Sequence, residues 1–300
     1  MGSGNWSHDA YKSVSSTRTN KSVDQVFTAK SLDPALDPTK IVLRDSRDSL
    51  DHPNSHAIVV AFDVTGSMGE IPHYFAKEAL GTLMRHLLDK QPVSDPQLLV
   101  AAVGDSTCDR SPLQVGQFES DNRVDDWLTK IFVEGGGGGQ QNESYGLAYH
   151  LAGNYTSIDC FEKRGEKGFL FTIGDEMPWA RTEKGELDRV FGASAGEAVS
   201  FEQQLASARR MYECFHVVVA SRSYAPDANL PTWRKYMGQH VLVLDDYKAL
   251  AELIMATVGL NRGMTASAVT AGMGAAATDL VLRSGATNLT KRASADIVTL

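Results

Sequence analysis

Short apolar runs alternate with segments of helical periodicity between residues 56 and 260. The run AIVVAFD at residues 57–63 is apolar at nearly every position, which is typical of a strand buried on both faces. Pro72 then opens a segment with apolar residues at helical spacing. Further strands are predicted at residues 98–103, 113–118, 168–173, 215–220 and 241–244, and further helices at 122–132, 143–152, 201–212, 230–237 and 247–258.

This alternation of strands and helices predicts an α/β fold. Such a chain forms a Rossmann-like open, mainly parallel sheet with helices on both faces. Right-handed crossovers place the loops that follow the strands along one edge of the sheet, where open α/β proteins bind their ligands. We therefore look for functional residues directly after predicted strands.

The two ends of the chain differ from this central segment. Residues 1–55 are polar with turn signals at Asp33-Pro34 and Asp37-Pro38, and they predict an extended N-terminal arm with two short apolar pieces that pack on the main domain. Residues 261–300 are rich in Ala, Gly, Thr and Ser, which predicts a flexible low-complexity tail or a segment that orders on a partner. The predicted main domain spans residues 56–260.

Composition narrows the function classes. Hydrophobic residues make up 42% of the chain, so a sizeable core is expected, and the net charge of −8 argues against nucleic-acid binding. No apolar stretch approaches the ~20 residues of a membrane helix, and the first residues do not resemble a signal peptide. We expect no membrane contact and a cytoplasmic location. The three cysteines fit neither a disulfide framework nor a zinc site.

Candidate chemistry begins at the end of the first predicted strand, at Asp63-Val64-Thr65-Gly66-Ser67. A carboxylate and two hydroxyls at alternate positions can point toward one centre, and hard cations such as Mg²⁺ prefer oxygen ligands of this kind. Threonine and serine at a strand-to-helix turn also cap helices. The spacing alone leaves both interpretations open.

Two further blocks, in the matching order, resemble the von Willebrand factor A family. The metal-ion-dependent adhesion site of that family begins with Asp-x-Ser-x-Ser after the first strand, where this chain has Asp63, Thr65 and Ser67. The glycine run at residues 135–139 and Asp175 in FTIGD match the two later blocks. The resemblance implies one Mg²⁺, Mn²⁺ or Ca²⁺ bound by Asp63, Thr65, Ser67 and Asp175.

The chain departs from the family where a threonine ligand is expected. Gln141 stands at that position and Glu143 follows two residues later. A glutamine carbonyl oxygen can ligate and leaves the cation open to a partner, whereas Glu143 as a direct ligand would add a third carboxylate and close the site. We expect the open form, because a carboxylate near a helix N-terminus, where Glu143 is predicted, is already favourable without a metal.

Other residues at the same edge are weaker candidates. Asp105 also follows a predicted strand, and it either supports the site, contacts a partner or caps a turn. Glu176 and Trp179 follow Asp175 and could form a rim for a partner, although a tryptophan more often packs in a core. The glycine run lacks the Gly-Lys-Ser/Thr ending of a phosphate loop, and no nucleophile motif is present, so we do not expect an enzyme.

The resemblance implies a metal-dependent protein-binding module of an intracellular bacterial or phage type. In this family an acidic residue of the partner completes the metal site, and intracellular members act as adaptors in larger assemblies, some beside AAA+ ATPases. The alternatives are a structural subunit of a polymer or particle with a closed or vestigial metal site and, more weakly, a metal-dependent phosphoester hydrolase.

Overall fold

The computed structural model describes residues 4–66, 68, 70–135, 141–193, 196–219 and 226–291, with the backbone alone for residues 226–228 and 289–291. The strands are β1 (Arg44–Ser46), β2 (His56–Asp63), β3 (Pro96–Val103), β4 (Leu113–Val115), β5 (Asn142–Glu143), β6 (Thr156–Ile158), β7 (Gly168–Gly174), β8 (Met177–Pro178), β9 (Arg181–Thr182), β10 (Val199–Ser200), β11 (Tyr212–Val219) and β12 (Val241–Leu244).

The α-helices are α1 (His8–Ser16), α2 (Val23–Val26), α3 (Glu70–Tyr74), α4 (Leu80–Lys90), α5 (Arg123–Thr129), α6 (Gly146–Asn154), α7 (Asp159–Arg164), α8 (Lys184–Phe191), α9 (Phe201–Arg209), α10 (Pro226–Met237), α11 (Leu250–Asn261), α12 (Ala266–Thr270) and α13 (Ala275–Arg283). A π-helical turn, Phe75–Ala79, joins α3 to α4. In the described part of the chain, no helix has the length and apolar character needed to span a membrane.

Six of the described strands form the central sheet, in the order β4-β3-β2-β7-β11-β12. All neighbours are parallel except β3 and the edge strand β4. Numbered along the chain, these strands run 3-2-1-4-5-6 across the sheet, which is a doubly wound order. The predicted α/β fold is confirmed, and the order reverses between β2 and β7, where such sheets bind ligands.

The core lies on both faces of this sheet, as β2 illustrates. Ile58, Val60 and Phe62 belong to the apolar cluster on one face, with α4 and α11. Val59 and Ala61 belong to the cluster on the other face, with α6 and α9. Successive strand residues point to opposite faces, so a strand covered on both sides is apolar at every position.

The N-terminal segment is folded onto the domain rather than extended. Tyr11 of α1 is buried in the core. Further along, the Leu36 carbonyl accepts a hydrogen bond from the backbone N–H of Val115 on the edge strand β4 at 2.9 Å. Polar composition hid these contacts, because only a few apolar residues of the segment make them. The arm thereby covers one edge of the sheet.

The C-terminal segment also differs from the expected flexible tail, as far as residue 291. Helices α12 and α13 and a 3₁₀ turn pack on α11, with Val281 and Ala286 buried. The Ser284 carbonyl accepts a hydrogen bond from Val243 of the other edge strand, β12, at 3.0 Å. The composition did not predict this packing, because only a few side chains of the segment, Val269 and Val281 among them, are buried. Residues 292–300 lie outside the described residues.

Candidate metal site

Asp63 is the last residue of β2, and its side chain is fully buried. Its Oδ1 accepts hydrogen bonds from the backbone N–H and the hydroxyl of Thr65 at 2.8 and 2.7 Å. Because the Thr65 hydroxyl donates its proton to Asp63, the lone pairs of Thr65 Oγ1 stay available to a cation. The loop after β2 thus prepares an oxygen ligand next to a carboxylate.

Tyr145 is a member of the site that the sequence analysis missed. Its hydroxyl donates to Asp63 Oδ2 at 2.9 Å. Gly174, at the end of β7, makes room for that hydroxyl, since a Cβ there would lie 1.8 Å from the Tyr145 oxygen. The ring packs edge-on against His216 and Trp233. An aromatic residue within a predicted helix is typical of a core position, so the sequence offered no signal for this role.

Asp175 follows β7 and is buried beside Asp63, as the reversal of strand order predicts. Burial, assisted by the negative charge of Asp175, raises the pKa of Asp63 to about 7. Two side chains of helix α10 bind the backbone of the loop that follows β7. The Asn229 side-chain amide donates to the Asp175 backbone carbonyl, and Trp233 Nε1 donates to the Glu176 backbone carbonyl at 2.9 Å.

Glu143 and Gln141 are placed differently by the structure. Gln141 is exposed, and its backbone carbonyl accepts a hydrogen bond from the backbone N–H of Met177 at 3.2 Å. Glu143 is only 3% exposed, and no described group hydrogen-bonds its Oε2. Burial, with the charge of Asp63 as the next cause, raises the pKa of Glu143 to about 11. Of the two side chains, Glu143 is the one that the fold turns inward, toward Asp63.

The inward position of Glu143 follows from local strand pairing. The sequence predicted that residue 143 begins a helix, but α6 begins at Gly146, and residues 142–143 form β5 instead. Strand β5 pairs with β8 in parallel, and Trp179 donates its backbone N–H to the Glu143 carbonyl at 3.1 Å. A pair of two-residue strands leaves too short a pattern to recognise in a sequence.

Asp105, Glu176 and Trp179 line the same edge. Asp105 is buried, and its Oδ1 accepts hydrogen bonds from Thr107 and from Trp179 Nε1 at 2.8 and 3.0 Å. The Trp179 side chain is half-buried. Glu176 is buried, with a pKa raised to about 8 by burial and the charge of Asp63, and no described group hydrogen-bonds its Oε2.

Two serines that were not candidates join the loops around the site. The Ser106 backbone N–H donates to Ser144 Oγ at 2.8 Å, and the two hydroxyls are hydrogen-bonded at 2.8 Å. The loop after β3 is thereby tied to the loop before α6. Ser67, the remaining implied ligand, and most of the glycine run, residues 136–139, lie outside the described residues.

The donor set is of the kind that a hard divalent cation takes. Asp63, Asp175 and Glu143 supply carboxylates and Thr65 supplies a hydroxyl, and one buried carboxylate oxygen, Glu143 Oε2, has no hydrogen-bond donor among the described residues. As the described residues are placed, no three His, Cys, Asp or Glu side chains lie close enough together to hold an ion. Asp63, Asp175 and Glu143 would therefore have to move closer together to share one cation, with hydroxyl and water ligands completing the site.

Of the comparisons with known proteins, only the comparison with solved structures found similarity. No family model and no curated protein matches the chain. The pilus adhesin SpaC of Lactobacillus rhamnosus GG, in an open conformation, is 8% identical with a TM-score of 0.48 over 72% of this chain. A von Willebrand factor type A protein from Catenulispora acidiphila is 14% identical with a TM-score of 0.41 over 70%.

Proximal thread matrix protein 1 from the mussel byssus is 12% identical to the chain, with a TM-score of 0.40 over 72% of it. The matches cover 31%, 43% and 48% of the adhesin, the Catenulispora protein and the byssus protein, so the chain spans less than half the length of each.

Proposed function

We propose that this chain is a protein-binding module whose sheet edge holds one divalent cation, with Mg²⁺ as the first candidate. Asp63, Thr65 and Asp175 are the ligands that the resemblance implies together with Ser67, and we add Glu143 to them. The observation that carries the proposal is the buried Glu143 carboxyl, whose Oε2 has no described hydrogen-bond donor and whose pKa is raised partly by Asp63.

The physical reason is the cost of burying like charges together. Asp63, Glu143 and Asp175 are each at most 3% exposed, and each negative charge disfavours ionisation of its neighbours. Such groups stay buried either by keeping protons or by sharing a cation, and a divalent ion offsets the charge of several carboxylates at once. In the metal-bound state these residues hold the cation, and the cation fixes the loops after β2 and β7.

Glu143 as a ligand changes what the cation offers to a partner. Three carboxylates would neutralise a divalent ion and weaken its pull on an acidic residue from outside. We therefore propose that the cation organises the binding edge, and that partner contacts lie mainly on its rim, where Trp179 is half-buried. If Glu143 is not a ligand, the site is open, and an acidic residue of the partner completes it, as in the family that the sequence resembles.

Partner capture from native lysate tests the proposed function. We expect immobilised protein to retain a partner in Mg²⁺ and to release it in EDTA, because without the cation Glu143 keeps a proton, Asp63 is partly protonated, and no common ion links the edge loops. Asp63→Asn should fail to retain the partner, and Glu202→Gln, a substitution of an exposed residue on α9, should behave as wild type.

A partner that Asp63→Asn and EDTA-treated protein retain fully would contradict metal-dependent binding. Sedimentation of the purified chain with and without EDTA then tests the alternative of a structural subunit. Metal-independent self-assembly would favour a polymer or particle component over the binding module.

A further inference from the structure

The helix that follows the candidate metal loop contains a π-helical turn, Phe75–Ala79, between α3 and α4. A π turn inserts one extra residue into a helix and interrupts the regular hydrogen-bond ladder, and it occurs frequently at functional sites. It persists where surrounding groups compensate for the irregular turn.

In this chain the compensating groups come from the N-terminal arm. The Ala76 carbonyl, within the π turn, accepts hydrogen bonds from the Tyr11 hydroxyl and from Arg18 Nη1, each at 3.0 Å in the buried interior. The Tyr11 ring fits against Gly81, where a Cβ would lie 2.3 Å from Tyr11 Cε1. Both donors are thus aimed at one backbone oxygen of the irregular turn.

Arg18 is itself fixed from the opposite side. Its two terminal nitrogens donate to the two carboxylate oxygens of Asp125 on α5, at 2.6 Å each, and both side chains are almost fully buried. A bidentate arginine–carboxylate pair is a geometrically specific contact. The arm therefore clamps the π turn between α1 and α5.

Backbone hydrogen bonds connect this helix to the candidate ligands. Met68 donates its N–H to the Thr65 carbonyl at 3.0 Å, and Ile71 donates to the Met68 carbonyl at 2.9 Å. Met68 and Ile71 are buried. If the π turn relaxed to a regular α-helix, the residues before it would rotate by roughly 100° about the helix axis. Thr65 would be carried along, and its bonds to Asp63 would change.

We infer that Tyr11 and Arg18 are positioning residues of the candidate metal site, acting on Thr65 and Asp63 through the π turn at Ala76. The inference rests on the proposed function for its consequence, since it is the cation that would report the position of Thr65. It assigns the N-terminal arm a role in the binding edge besides covering strand β4.

Amide hydrogen exchange and Mg²⁺ titration of full-length variants test this inference. Tyr11→Phe removes only the hydroxyl. Tyr11→Phe combined with Arg18→Lys also replaces the forked guanidinium, which bonds Ala76 and Asp125 together, with a single ammonium that keeps a positive charge near Asp125. Lys12→Met, an exposed change on the same helix, is the matched control. We expect exchange in residues 63–79 of the metal-free double variant to rise about tenfold, the equivalent of about 1.4 kcal/mol. Exchange in β7 of the double variant should stay at wild-type rates. Exchange throughout Lys12→Met should also match wild type.

The Mg²⁺ affinity of the double variant should fall by about tenfold as well. Unchanged exchange in residues 63–79 would overturn the inference, and so would faster exchange with an affinity within about twofold of wild type. Absence of Mg²⁺ binding by the wild type would instead overturn the proposed function. The exchange rates of the metal-free proteins would then still decide whether the arm positions Thr65.

Discussion

At the scale of single residues, Asp63 connects the side chains of the candidate site by hydrogen bonds. One carboxylate oxygen takes two hydrogen bonds from Thr65 and the other takes one from Tyr145. These donors favour the charged form, but burial outweighs them and raises the pKa of Asp63 to about 7 in the metal-free protein. The residue is therefore poised between holding a proton and holding a cation.

This pKa predicts a pH dependence of stability. The pKa of Asp63 is raised from 3.8 to about 7 in the folded chain. At pH values between these two, the folded state therefore keeps a proton that the unfolded state has released. Metal-free protein should therefore lose about 2 to 4 kcal/mol through Asp63 as the pH rises from 4 to 8. Urea unfolding of wild type and Asp63→Asn over this range measures the contribution.

Asp63→Asn also controls for the other titrating groups, because both proteins contain them. The unfolding free energy of the wild type should fall relative to that of Asp63→Asn as the pH rises. A difference that stays constant with pH would mean that the pKa of Asp63 in the folded protein is not raised.

The sequence predicted the positions of two buried carboxylates at strand ends, and their role as metal ligands stays a prediction. Asp63 and Asp175 come directly after apolar runs, and the strand order of the sheet brings them together. Tyr145 and the inward turn of Glu143 were not predictable, because the first depends on the space above Gly174 and the second on a pair of two-residue strands. Such details arise from tertiary contacts that leave no periodic pattern.

At the scale of elements, the long periodic segments were predictable and the ends of the chain were not. The strand predicted at residues 168–173 is β7, and the helix at 247–258 is α11 within a few residues. The C-terminal helices escaped prediction because α13 buries few of its side chains, with Val281 as its fully buried residue. Composition alone suggested a tail.

Neighbouring positions on α13 provide a matched test of this packing. Val281 is fully buried, whereas Leu282 is 44% exposed. Val281→Asp should destabilise the fold by about 3 kcal/mol, because a carboxylate would be buried without a partner, and Leu282→Asp should change stability by less than about 0.5 kcal/mol. Thermal or urea unfolding compares the two. Equal effects would show that α13 does not pack on α11 in solution.

At the scale of the whole molecule, the sheet and its flanking segments form one support for the edge between β2 and β7. The arm covers β4 and bonds to the π turn, while the C-terminal segment covers β12. Helix α10 holds the backbone after β7. Contacts from the arm and from α10 thus reach the elements that carry or follow the acidic residues, whereas the C-terminal segment covers the opposite edge strand.

The fold class could be predicted from the sequence because alternating patterns and right-handed crossovers leave few arrangements. The sequence predicted the function less completely than the fold. Carboxylates at a sheet edge predict a cation, but its partner depends on which side chains remain exposed around it. Gln141 is exposed and Glu143 is buried, which reverses the preference that the sequence suggested for the fifth ligand and makes the closed form the one we propose.

Calorimetric titration of the purified chain with Mg²⁺, beside Glu143→Gln and the exposed control Glu202→Gln, shows whether one Mg²⁺ binds and whether Glu143 is one of its ligands. We expect one Mg²⁺ per wild-type chain, unchanged binding by Glu202→Gln, and a loss of about two orders of magnitude in affinity for Glu143→Gln, or about 2.7 kcal/mol. An affinity of Glu143→Gln within a few-fold of wild type would show that Glu143 is not a ligand. No Mg²⁺ binding by the wild type would contradict the metal site itself.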